Sequence, residues 1–319
     1  MSPSQPGLPR PPFKTTPGSA AAFARTLPRP AAMSATAIFA TAALAAGAYA
    51  LYVRRSAVQA EGLEGRPPFA SFGFRSLKLQ SADVVNHNTK RLVFELPDPA
   101  VKSGLTLTSA LLTITFPGGS WLPTVRPYTP VNDLNDKGKL EFLIKHYPNG
   151  KASTYLHALK PGDAVTFAPI PGYKWRANEH AHIALVAGGQ GITPCYQLAR
   201  GILADAADRT RVTLVWGVNT DDDIVLGAEL SDLAAQHPGR LDVVYVVSKP
   251  EAGSMHVAGH VTREVLERAG VKKGAGDVAK VFVCGPPAME KVLVGGKGPF
   301  GGAGILAELG YGKKEVHRF

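Results

Sequence analysis

Hydrophobic and polar positions follow two different rhythms along this chain, and the change falls near residue 180. Between residues 71 and 176 they alternate in short runs: 74–79 (FRSLKL), 91–96 (RLVFEL), 111–116 (LLTITF), 140–147 (LEFLIKHY) and 164–168 (AVTFA). A period of two places every second side chain on one face of a strand. Gly, Pro and Asn turns separate the runs, which predicts an antiparallel barrel or sandwich. From residue 180 the runs become continuously apolar and alternate with helical stretches. Strands are predicted at 182–187 (HIALVA), 212–216 (VTLVW), 241–247 (LDVVYVV) and 281–284 (VFVC), and helices at 195–204, 224–236 and 261–269. Strand alternating with helix predicts a parallel, doubly wound sheet. An all-β domain over 71–176 is therefore expected to precede an α/β domain over 180–319.

The first 70 residues follow neither rhythm. Residues 31–53 form an uncharged run of 23 residues. As a helix it would be about 34 Å long, enough to cross a hydrocarbon core of roughly 30 Å. Arg54 and Arg55 follow directly, as expected of a flank retained on the side of synthesis. Residues 1–30 are rich in Pro, Ser, Thr and Arg without an acid, a composition similar to a mitochondrial targeting segment. A targeting segment, a membrane anchor at 31–53 and a linker at 54–70 are expected. Two other readings stand beside the anchor: a cleaved secretory signal ending at Ala48-Tyr49-Ala50, and a helix of a soluble protein.

Charge changes the picture little. The net charge is +10, but residues 1–60 hold six basic residues and no acid, leaving +4 for the folded part. No dense Lys/Arg stripe or zinc-finger spacing is present, so no nucleic-acid partner is expected. The 2 cysteines, Cys195 and Cys284, are too few for a cluster held by four thiolates and do not make a disulfide scaffold.

Four motifs carry candidate chemistry. Gly188-Gly189-Gln190-Gly191-Ile192-Thr193-Pro194 lies between a buried strand and a helix, where glycines let the backbone approach a pyrophosphate and the helix start favours an anion. Arg126-Pro127-Tyr128-Thr129 places a guanidinium and a phenol on one face of an extended segment, suited to a ligand with a diphosphate and a flat ring. An ordinary barrel strand with a surface Arg accounts for that tetrapeptide equally well. Gly150-Lys151-Ala152-Ser153 offers N–H and O–H donors at a helix start, or a plain N-cap. Cys284-Gly285-Pro286-Pro287-Ala288-Met289 follows the last parallel strand, where such sheets bind ligands. Its thiol either touches a nicotinamide ring or is a small buried hydrophobe.

Together and in this order over residues 72–319, these motifs resemble the NADH–cytochrome b5 reductases of the ferredoxin–NADP reductase superfamily. The resemblance extends to the fungal mitochondrial form, which carries a targeting segment and anchor, and to the tail from Glu308 to Phe319. It implies that Arg126, Pro127, Tyr128 and Thr129 hold FAD, with Ile144, Lys145 and Tyr147 lining the flavin site and Gly150, Lys151, Ala152 and Ser153 on its pyrophosphate. It implies that Gly188, Gly189, Gly191 and Pro194 form the NADH loop and that Thr193 sits between the cofactors. Cys284, Gly285, Pro286 and Met289 close over the nicotinamide, and Phe319 lies near the flavin. Thr129, Thr193 and Cys284 flank the reacting rings, with no acid–base residue required.

Two departures stand out. Gln190 occupies a position where the family usually has Thr or Ser. Val247-Ser248-Lys249-Pro250 lacks the acid that commonly receives the adenosine ribose, so NADPH joins NADH as an expected donor, with Lys249 attracting a 2′-phosphate. The implied activity is hydride transfer from NADH to FAD, then single electrons to cytochrome b5 or a similar heme protein, which docks on lysines such as Lys145 or Lys151. The implied location is the mitochondrial outer membrane, with the intermembrane space second. Alternatives are a reductase for an oxygenase or nitrate-type acceptor, and a redox-inactive membrane tether. Residues 295–304 (GGKGPFGGAG) read as a flexible loop.

Overall fold

The computed structural model describes residues 65–274, 278–296 and 302–319. The expected targeting segment, the anchor, residues 54–64 of the linker and residues 297–301 of the glycine-rich loop lie outside the described residues. Among the described residues, no helix is long and apolar enough to cross a membrane.

The first half contains β1 (Arg75–Val84), β2 (Thr89–Glu95), β3 (Ala110–Thr115), β4 (Thr124–Tyr128), β5 (Lys139–Lys145), α1 (Lys151–Ala158) and β6 (Ala164–Ile170). Its strands form one six-stranded sheet in the order β4-β3-β6-β1-β2-β5, each neighbouring pair antiparallel. The register shifts between Leu79 and Ser81, so β1 bends there and pairs with β6 over its first part and with β2 over its second. The result is an antiparallel half-barrel, where the alternation predicts an antiparallel barrel or sandwich. β4 and β5 remain edges, and α1 packs against both, covering edges that would otherwise be left open. The inward residues of the alternating runs make the core, including Leu77, Leu92, Leu140 and Phe167. Phe142 stacks on Phe167 at 5.6 Å, and Phe94 meets both edge-on.

The second half contains β7 (His182–Gly188), α2 (Ile192–Ala204), β8 (Arg211–Val218), α3 (Gly227–Gln236), β9 (Leu241–Val247), β10 (Val257–Ala258), α4 (Arg263–Arg268), β11 (Lys280–Cys284), α5 (Pro287–Val294), α6 (Ile305–Glu308) and β12 (Val316–Arg318). Six parallel strands run in the order β10-β9-β8-β7-β11-β12. The continuous apolar run of β7 follows from burial on both faces. Ile183, Leu185 and Ala187 pack with α2, while Ala184 and Val186 pack with Leu266 and Leu293. Each such buried Ile, Leu or Val side chain contributes roughly 1.5–3 kcal/mol. Helix α3 begins at Gly227 instead of residue 224 because Asp221–Asp223 form a 3-10 turn, with the Asp223 carboxylate accepting from the Thr220 N–H. The strand order reverses between β7 and β11, and at such a switch point open α/β sheets bind ligands beyond the strand ends.

Candidate functional site

A cavity of about 2020 Å³ lies where the half-barrel faces the carboxyl ends of β7 and β11. Arg126, Ser153 and Gly191 all line it. So does every other candidate residue from the four motifs.

On the half-barrel side, Arg126 and Tyr128 share a face of β4, two residues apart. Arg126 Nη1 donates to the Val125 carbonyl at 2.8 Å. Burial, and next the neighbouring Tyr147, push the Tyr128 phenol up to about 12 against the pull of Arg126, so it stays neutral. Thr129 is buried in the wall beside it. Lys145 and Tyr147 reach the cavity, but Ile144 does not: β5 alternates, and its side chain lies in the half-barrel core. Gly150 is the N-cap of α1. The Ser153 hydroxyl accepts from the Tyr147 N–H at 3.1 Å and donates to the Gly150 carbonyl at 3.0 Å. Ser153 thus braces the turn, leaving the N–H groups at the start of α1 as the anion donors, beside the exposed Lys151.

On the nucleotide side, Gly188–Gly191 leave β7 and enter α2, with Thr193 and Pro194 in its first turn. Trp216 Nε1 donates to the Gly189 carbonyl at 3.0 Å, and the Thr193 hydroxyl donates to the Gln190 carbonyl at 3.2 Å. A Cβ on Gly191 would sit 2.1 Å from the Cys284 carbonyl oxygen, and one on Gly188 2.4 Å from the Met289 sulfur. These glycines are what lets the first loop and the Cys284–Met289 segment close together. The Cys284 thiol is pushed up to about 12, first by burial and then by Glu290. Phe319 lines the cavity and stacks on Phe282, with ring centres 5.7 Å apart.

Several partners of the candidate residues are not legible in the sequence. Lys145 is not a surface lysine: its Nζ lies 2.6 Å from Asp223 Oδ1, with both side chains largely buried. Asn88 also donates to that oxygen at 3.1 Å. Asp223 is the only carboxylate side chain in the cavity wall among the described residues. The Ser248 hydroxyl pairs with His260 Nδ1 at 3.1 Å, and both line the cavity. Lys249 is exposed outside it, its N–H donating to the Asn219 carbonyl. Thr108 and Gly172 meet at the junction of the halves, where a Cβ on Gly172 would sit 2.1 Å from the Thr108 carbonyl oxygen. Only an acid run at 221–223 and a glycine at 172 hint at these partners in the sequence. Among the described residues, no cluster of three or more His, Cys, Asp or Glu side chains could hold a metal.

The donor set fits two dinucleotides. Two helix starts and the Arg126 guanidinium offer separate anion positions, while Pro127, Tyr128, Tyr147 and Phe319 offer flat apolar walls. A Cβ at Gly189 would meet nothing within 4 Å, so that backbone faces open cavity. This combination defines a flavin- and pyridine-nucleotide-binding oxidoreductase architecture. Residues 76–172 match the oxidoreductase FAD-binding domain and residues 185–294 the oxidoreductase NAD-binding domain. NADH-cytochrome b5 reductase 2 of Pyricularia oryzae is 44% identical over 254 residues, covering 77% of this chain and 76% of that protein. The protein of the same name from Botryotinia fuckeliana is 46% identical over 255 residues, covering 77% and 72%. The crystal structure of the cytochrome b5 reductase domain of Ulva prolifera nitrate reductase is similar with a TM-score of 0.68 at 26% identity, covering 77% of this chain and 97% of that one. The chain belongs to the NADH–cytochrome b5 reductase family.

Proposed function

We propose that this chain oxidises NADH through bound FAD and passes the electrons singly to cytochrome b5 or a similar heme protein. The observation that carries this reading is the convergence of the Arg126–Thr129 strand, the start of α1, the Gly188–Gly191 loop and the Cys284–Met289 segment on one cavity. FAD, when bound, supplies the redox chemistry, accepting a hydride and returning two electrons one at a time.

The chain's own residues bind and orient. Residues 71–176 serve as the FAD domain and 180–319 as the NAD(P)H domain. Arg126 and the free N–H groups of α1 hold the flavin pyrophosphate. The neutral Tyr128 and Tyr147 rings wall the flavin site, with Thr129 at its edge. Gly188, Gly189, Gly191 and Pro194 cradle the second pyrophosphate, and Thr193 stands between the two ligands. Cys284, a neutral thiol, closes over the nicotinamide with Gly285, Pro286 and Met289. Lys145, held by Asp223, contributes a fixed positive charge to the wall. That leaves Lys151 as the rim cation for an acidic acceptor.

Ser248 and His260 bring no carboxylate to the cavity below β9, so a ribose 2′-phosphate meets no repulsion there and NADPH serves beside NADH. Residues 31–53, preceded by a targeting segment, anchor the enzyme in the mitochondrial outer membrane. NADH-dependent reduction of cytochrome b5, read at the heme, tests the proposal. An FAD-loaded chain that oxidises NADH with artificial dyes yet leaves cytochrome b5 oxidised would refute the acceptor.

A further inference from the structure

The helix that begins at the dinucleotide loop also carries the face on which the half-barrel rests. Gln197, Arg200 and Gly201 stand at i, i+3 and i+4 on α2, and so share one face. Gln197 Nε2 donates to the Pro130 carbonyl at 3.1 Å, and Arg200 Nη1 donates to the Val131 carbonyl at 3.1 Å. Those two carbonyls belong to the residues immediately after the Arg126–Thr129 motif. At Gly201 the absent side chain is replaced by Leu107 from the other half: a Cβ there would lie 2.3 Å from Leu107 Cδ1 and 2.9 Å from Cδ2.

Leu107 projects from a turn closed by the Ser109 N–H donating to the Thr106 carbonyl at 2.9 Å. The next residue, Thr108, has φ +67°, a left-handed conformation rare for a β-branched side chain. Its hydroxyl donates to the Tyr173 carbonyl at 2.9 Å. Such a conformation persists only where the surroundings over-determine it. Here they do so beside the residue that plugs the other domain.

We propose that Gln197 and the Leu107–Gly201 joint are positioning elements for hydride transfer. Helix α2 carries Gly191, Thr193 and Pro194 at one end and this joint two to three turns later. Moving α2 by the width of a methyl group relative to the half-barrel shifts the dinucleotide loop relative to Tyr128 and Thr129, while the groups that hold each pyrophosphate keep their places within their own half. The joint therefore governs the rate of transfer and not the affinity for either dinucleotide. This rests on the reductase reading given above.

The test uses the FAD-loaded full chain as wild type, Gly201→Ala, Leu107→Val/Gly201→Ala, and Gln197→Met. Three quantities are read: the limiting rate of flavin reduction by NADH, the dissociation constant for NAD⁺ by calorimetry, and deuterium exchange of residues 104–110 and 128–133 without nucleotide. Gly201→Ala is expected to slow the limiting rate by about tenfold, leave the dissociation constant within about twofold, and raise exchange in both segments. The double variant, which removes the colliding δ carbons, is expected to restore rate and exchange together. Gln197→Met, which deletes the donor without adding bulk, is expected to show the same split between rate and affinity. Raised exchange with an unchanged limiting rate, or restored protection without restored rate, would overturn the proposal. A wild-type chain whose flavin NADH cannot reduce would overturn the reductase reading and this inference with it.

Discussion

Lys145 Nζ lies 2.6 Å from Asp223 Oδ1, tying the last strand of the half-barrel sheet to a 3-10 turn of the nucleotide half at the cavity wall. Burial alone would raise the Asp223 carboxyl. The hydrogen bonds from Lys145 and Asn88, with the Lys145 charge, outweigh it and hold the group below the ordinary carboxylate range.

That tie gives a pH-dependent stability. The folded value for Asp223 lies below the unfolded one, so its contribution is present above about pH 4 and is lost as pH falls through the folded value. Asp223→Asn removes the negative charge opposite Lys145 and is expected to cost roughly 1–3 kcal/mol at neutral pH. The gap between variant and wild type should close as the pH drops below about 4. Urea unfolding of both proteins across that range measures it.

Two glycines of one loop are expected to fail differently. A methyl at Gly191 meets the Cys284 carbonyl oxygen, a backbone atom that cannot rotate away. Gly191→Ala should therefore lower stability by about 2–4 kcal/mol, seen as a large fall in melting temperature. Gly189 has φ +50° and open cavity before it. Gly189→Ala should cost only about 1–2 kcal/mol in strain, while its methyl, pointing into the cavity, is expected to raise KM for NADH.

Much of the fold was legible because its causes are local. Alternation at residues 91–96 and 140–147 reports one buried face, and the unbroken run at 182–187 reports two. The loop from Gly188 to Pro194 was legible as a candidate site from its place between a strand and a helix, and it lines the cavity. The same alternation that exposes Lys145 to the cavity also sends Ile144 into the core. The acceptor role expected of Lys145 could not survive a partner 78 residues away. Pairings such as Lys145 with Asp223, or Leu107 with Gly201, depend on how the two halves meet, and no short-range pattern encodes that. The strands Val257–Ala258 and Val316–Arg318 are too short to show a period. Lys249 was a reasonable phosphate partner by its place after β9, yet the chain turns so that Ser248 and His260 face the cavity instead.

The pH profile of flavin reduction should carry no mark of Cys284. Burial, with Glu290 second, pushes the thiol up to about 12, so it remains protonated through the working range. Stopped-flow rates between about pH 6 and 9 are expected to show no inflection that Cys284→Ala removes, and iodoacetamide should label the folded protein slowly at that position.

Arg126 lines the cavity on β4, the strand that packs against α1. Arg126→Ala removes a charge-assisted contact of about 1.5–3 kcal/mol and is expected to weaken FAD binding by roughly ten- to hundredfold. Fluorescence titration of the apoprotein with FAD would show it.

If one cavity brings NADH and FAD together, anaerobic titration of the FAD-loaded chain with NADH will show it. Equimolar NADH is expected to bleach the visible flavin band, and ferric cytochrome b5 added afterwards is expected to restore it. A chain that takes up no FAD, or one whose bound flavin keeps its colour in excess NADH, would contradict the claim.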